Sequence, residues 1–96
     1  MVGLDGNAIG GELLEIFGIE MTVSTVVCRA CGATGPIAEA VVYLRAPGTV
    51  VRCRTCSSVL FRIVRGPGRT WIDLGGVRTL EIRELGAPGL RAATPG

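Results

Sequence analysis

The sequence predicts a small, mostly-β domain with one short helix near its N-terminus, and three features carry that expectation. All four cysteines fall in two matched pairs, Cys28-Arg29-Ala30-Cys31 and Cys53-Arg54-Thr55-Cys56. Runs of β-branched and alternating apolar residues, punctuated by Gly and Pro, fill most of positions 22–83. Helical periodicity occurs over residues 7–17. At 96 residues the chain is one domain at most, near the size at which a hydrophobic core alone is marginal and a staple is commonly recruited.

Over residues 7–17, Ile9, Leu13, Ile16 and Phe17 fall at i, i+4, i+7 and i+8, with Glu12 and Glu15 elsewhere on the wheel. Asp5 or Asn7 caps the start and Gly18 ends the helix in the left-handed conformation. Gly10 and Gly11 each cost about 1 kcal/mol relative to Ala, so this helix depends on docking its apolar stripe against a small sheet. Residues 22–27 read as a strand running into the first cysteine pair, where Gly32 supplies a cheap positive φ. Residues 37–45 read as a strand with Ala38, Ala40, Val42 and Leu44 on one side and Tyr43 as an exposed ring on the other. A turn over 46–48 leads into a strand over 49–52, which returns to the second pair. Ser57 stands there in the place of Gly32, and must accept a strained angle or impose a different turn.

In residues 58–65, Val59, Phe61 and Ile63 share one face and Leu60 and Val64 the other, so the strand is covered on both sides. The Arg65-Gly-Pro-Gly-Arg69 loop and the Gly75-Gly76 turn then divide residues 58–83 into a three-stranded meander. Trp71 is expected to anchor the sheet beneath the helix, since the chain has only four aromatic residues (two Phe, one Trp, one Tyr). The expected domain spans residues 1–84, with the helix at 7–17, the cysteine pairs at 28–56 and the meander at 58–83. Residues 85–96, rich in Gly and Pro, read as a flexible tail.

Two residues between paired cysteines let both sulfurs of a tight turn face one ion at about 2.3 Å, and two such turns supply a closed tetrahedron. Cys28, Cys31, Cys53 and Cys56 are therefore the expected ligands of one Zn²⁺ per chain, a structural site contributing folding free energy. Iron in a rubredoxin-like site uses the same ligands, although Ser57 breaks the second C-x-x-C-G of that pattern. A dithiol redox pair is expected at a helix start, whereas these pairs lie between strands.

With their 21-residue separation and flanking strands, the two pairs resemble a zinc ribbon, here extended by the β-meander and the short N-terminal helix. Residues 4–17, both cysteine turns and residues 65–75 together resemble a family of short bacterial zinc-ribbon-like proteins of unknown function. The resemblance implies the four cysteines as metal ligands and carries no activity with it. Zinc ribbons recur in proteins of transcription, translation and replication, which is analogy of fold alone.

The formal charge of +2 conceals a division. Residues 1–27 hold Asp5, Glu12, Glu15 and Glu20 without a base, whereas residues 28–71 hold seven arginines against Glu39. Arg29, Arg52, Arg54, Arg62, Arg65 and Arg69, with Tyr43, are the candidate contacts for a partner. They suit a nucleic-acid surface that releases phosphate counterions, but thiolate charge brings the total near zero and the N-terminus is acidic. An unidentified protein or complex is therefore the expected partner ahead of DNA or RNA. Catalysis finds little support: there is no His and no Lys, no carboxylate pair in a pocket motif, and no evident small-molecule substrate. The 48% hydrophobic fraction contains no run near the ~18 residues of a membrane span. The opening residues lack the basic and apolar regions of a secretory leader, so the expected compartment is the cytoplasm, where paired cysteines hold metal rather than disulfides.

Overall fold

The computed structural model describes residues 4–45 and 48–82, and the expected tail and most of the 46–48 turn lie outside them. Two antiparallel sheets and one helix enclose the core. The larger sheet has five strands in the order β1 (Leu4–Asp5), β4 (Val41–Arg45), β5 (Gly48–Arg52), β6 (Val59–Gly66) and β7 (Arg69–Asp73). The smaller has three, with β2 (Thr25–Cys28) between β3 (Thr34–Pro36) and β8 (Val77–Glu81).

The helical segment divides in two. Asp5 Oδ1 accepts the Asn7 N–H at 3.1 Å and starts a 3-10 turn, Gly6–Ile9, which feeds helix α1, Gly10–Phe17. Gly18 closes α1 at φ 77, its N–H donating to the Leu14 carbonyl at 2.8 Å. Ile9 and Leu13 are buried, Ile16 is half-buried and Phe17 lies at the rim. Thr49 donates to Glu12 at 3.1 Å and Arg65 pairs with Glu15 at 3.0 Å, which fixes α1 on the inner face of the larger sheet. That face contributes Val42, Val51, Phe61 and Ile63, all essentially inaccessible.

Three expectations about the strands change. The strand expected over 22–27 starts only at Thr25, because the Thr22 and Ser24 carbonyls accept the N–H groups of Ala38 and Ile37. The same two bonds turn Ile37–Glu39 into a 3-10 segment, so the strand expected over 37–45 begins at Val41. Ala40 and Val42 point inward as the alternation requires, whereas Leu44 emerges at the sheet's end, 46% exposed.

The third difference concerns the meander. An antiparallel succession exists, but it runs β4-β5-β6-β7, and β8 leaves it to pair with β2 in the other sheet. Gly76 makes the crossing possible: a Cβ there would sit 1.7 Å from the Val59 carbonyl oxygen. In that close position its N–H donates to Leu60 at 3.0 Å and its carbonyl accepts the Arg29 N–H at 2.9 Å. Gly6 is confined in the same way, 1.8 Å from the Ile37 carbonyl oxygen by the same measure.

With α1 covering one face of the larger sheet, the opposite face is left open among the described residues, so β6, expected to be covered on both sides, carries exposed Arg62 and half-buried Val64 there. Cross-strand register places Tyr43, Val50, Arg62 and Asp73 in one row of that face, with Val64 and Trp71 in the next. Trp71 is 53% exposed, which corrects its expected place beneath the helix. Its neighbour Ile72 takes the inward position, because alternation allows only one of the two to face the core.

Candidate metal centre

Each cysteine pair belongs to a different sheet. Cys28 ends β2 and Cys31 lies in the turn before β3, whereas Cys53 follows β5 and Cys56 lies in the turn before β6. The two turns are built alike. In the first, the Gly32 N–H donates to the Cys28 carbonyl at 2.9 Å and the Cys28 N–H to the Ala33 carbonyl at 2.9 Å. In the second, Ser57 donates to Cys53 at 2.9 Å and Cys53 to Ser58 at 2.8 Å. Both need a left-handed residue at the fourth position after the first cysteine. Gly32 takes φ 78, and Ser57 takes φ 68 as the one non-glycine residue at positive φ among those described. The strained angle is the outcome; the turn is unchanged. Arg52 spans it, donating to the Ser57 carbonyl at 2.8 Å.

A register shift adjoins each turn, between Val27 and Cys28 and between Val51 and Arg52. Such bulges bend a strand and re-aim its end. Here they turn both pairs toward one point. The four sulfurs lie within 4.8 Å of one another, with Cys28 to Cys56 and Cys31 to Cys53 each 3.7 Å apart. A tetrahedron with metal–sulfur bonds of about 2.3 Å has edges of about 3.8 Å, so the donor set fits a four-thiolate ion. The separations are far too long for a disulfide, which needs about 2.05 Å.

The cluster's own electrostatics point the same way. Cys56 is held down to about 6 by the Ser58 hydroxyl and the Ser58 amide. Cys53 is lowered as well: burial raises it, but the Cys56 and Thr55 amides and the neighbouring thiols prevail. At Cys31 the Ala33 amide, 3.4 Å from the sulfur, favours the thiolate, yet burial and the Cys53, Cys56 and Cys28 sulfurs push it up to about 12. Sulfurs this close resist carrying full charge together, and a divalent cation removes that conflict.

The sequence matches a family of unknown function, DUF6510, over residues 1–85. The chain belongs to the DUF6510 family. No curated protein and no solved structure is found to match it. In this DUF6510 protein the four cysteines form a cluster able to hold a metal ion, set in a small, mostly-β, zinc-ribbon-like arrangement.

Of the candidate arginines, Arg52, Arg62 and Arg69 lie on the open face of the larger sheet, whereas Arg29, Arg54 and Arg65 lie elsewhere. Arg29 donates to the Gly75 and Val77 carbonyls at 3.1 and 3.4 Å, so it clasps the turn between β7 and β8. Arg52, besides holding Ser57, lies over the Tyr43 ring at 5.8 Å from its centroid, leaving Tyr43 half-buried. Arg62 pairs with Asp73 at 3.7 Å and Arg65 with Glu15 at 3.0 Å. Arg54 lines a cleft together with Cys28, Cys53 and Glu39. Arg69 projects from the hairpin end of β7. Sequence reasoning missed Gly76 and the clasp by Arg29. The doubled glycine at 75–76 was visible, but its partner, the Val59 carbonyl, is set by the crossover.

Proposed function

We propose that this protein is a zinc-stabilised, non-catalytic interaction module of the bacterial cytoplasm, which presents the open face of its larger sheet to a protein partner. The observation that carries this reading is the placement of the four thiols. Each sheet supplies one cysteine turn, so a single ion fastens the two sheets together and its four protein ligands leave no position open for substrate. Zinc supplies cross-linking charge there, without redox chemistry, and Cys28, Cys31, Cys53 and Cys56 hold it.

A protein partner is favoured over nucleic acid because Arg29, Arg52 and Arg65 already have internal hydrogen-bond partners. Tyr43, Val50 and Val64 give the open face an apolar centre of the kind that protein interfaces bury. Elemental analysis of the purified chain should return one zinc per chain with no visible iron–thiolate absorption. Chelation should abolish the native circular dichroism and the cooperative melt. A metal-free chain with an unaltered spectrum and melting temperature would refute the reading. For the partner, affinity capture should return a reproducible protein that Val64→Arg loses; fluorescence anisotropy with DNA and RNA at two salt concentrations should show no salt-sensitive binding.

A further inference from the structure

The outer edge of β7 is unpaired among the described residues, and its sequence is Arg69-Thr70-Trp71-Ile72-Asp73. We propose that β7 is a self-association strand: a second copy of this chain pairs with it antiparallel, about a two-fold axis through Trp71, joining two five-stranded sheets into one.

The argument is one of charge order. Arg69, Trp71 and Asp73 alternate onto the open face, since their register partners on β6 are Gly66, Val64 and Arg62. Antiparallel pairing centred on Trp71 sets Arg69 of each copy opposite Asp73 of the other, with the two Trp71 side chains facing. Parallel pairing would instead oppose like charges, which is destabilising. Charged residues at a sheet edge commonly prevent edge-to-edge pairing. Here the sign order, positive at one end and negative at the other, makes the edge complementary to itself, the requirement of a two-fold interface.

The residues involved are available. Arg69 has no acidic partner among the described residues; the Asp73 carboxylate accepts the Gly75 N–H at 2.9 Å through Oδ1, while Oδ2 meets Arg62 at 3.7 Å, both of those side chains being more than half exposed. One side of the Trp71 ring packs on Gly66, where a Cβ would lie 3.2 Å from it, and the rest faces solvent. Alternation along an antiparallel edge leaves every second residue of β7 with outward N–H and C=O groups. The β6–β7 loop is two residues long, Pro67 and Gly68, so Gly66 and Arg69 bond each other and the outward groups belong to Thr70 and Ile72. In the proposed register Thr70 of one copy opposes Ile72 of the other and exchanges those bonds. The Trp71 and Arg69–Asp73 pairs then fall at the closer, non-hydrogen-bonded positions, where side chains interact most. Tyr43 and Val50 stay on the open face, so this inference stands independently of the protein-partner reading.

A five-residue edge buries less than the roughly 800 Å² per partner of a standard interface, so association is concentration-dependent. Sedimentation of the full metal-loaded chain, from micromolar concentration to about 1 mM, should show the mass rising toward twice the monomer. Arg69→Asp and Asp73→Arg should each weaken self-association at least about tenfold. An equal mixture of the two should restore it, because each then opposes unlike charges. Trp71 is the only tryptophan, so its emission in the unaltered chain should shift blue and lose quencher access as concentration rises. This readout decides the matter even if a variant misfolds. A chain monomeric throughout, emission that stays constant while mass doubles, or folded variants that associate unchanged would each overturn the proposal.

Discussion

Ser57 shows how much one backbone angle can be read in advance. Its position after the second cysteine pair, where the first has Gly32, signals a conflict that the structure resolves by forcing Ser57 to φ 68. A left-handed non-glycine residue costs about 1–2 kcal/mol, partly offset in glycine by its looser unfolded chain. Ser57→Gly should therefore stabilise the protein by about 0.5–1 kcal/mol, raising the melting temperature by several degrees in a calorimetric scan. Gly76→Ala should act in the opposite sense. Its Cβ meets a backbone carbonyl that cannot rotate away, so a loss of about 1–3 kcal/mol or more is expected in denaturant unfolding. The first effect is legible from two aligned turns; the second depends on a tertiary neighbour 17 positions away, which no local pattern encodes.

At the scale of elements, the sequence identifies the helix, the cysteine turns, the hairpin and the presence of β2 and β4–β8, since these rest on local periodicity and turn chemistry; the two- and three-residue strands β1 and β3 are too short to leave a pattern. It misplaces the starts of β2 and β4. There the β-branched and apolar runs continue through Thr22, Ser24 and Ile37–Glu39, but their backbone groups bond one another across the fold. It also assigns β8 to the wrong neighbour, because a Gly-Gly turn looks like a hairpin whether or not the chain stays in one sheet. The consequence can be measured. Cys28 lies on β2, whose central place depends on β8, so loosening β8 should weaken the metal site without touching a ligand. Leu80→Asp, opposite Val26, should lower metal affinity in competition with a chelating dye while the four thiol groups remain titratable.

For the whole molecule, the four-thiol cluster and the crossing at Gly76 are the links between the cysteine turns and the two sheets. Proton competition should therefore appear as loss of global structure. The depressed value of Cys56 means that folding favours its thiolate, a contribution present above pH 9 and lost as pH falls through about 6. Cys31 runs the other way: pushed up to about 12, it favours the protonated folded state below pH 9 and loses that contribution as pH rises through about 12. Because metal binding requires all four thiolates, affinity should fall continuously on acidification and most steeply below about pH 6. Dye competition and circular dichroism from pH 8 to pH 5 should lose metal and ellipticity together.

The crossing of β8 has a further bearing on how the chain is made. During synthesis the first cysteine turn leaves the ribosome well before the strand that holds it in place. All four thiols are consequently outside the ribosome, able to meet metal or oxidant, while β2 still lacks one of its two flanking strands. Secure capture of the ion is thus an event of the completed polypeptide.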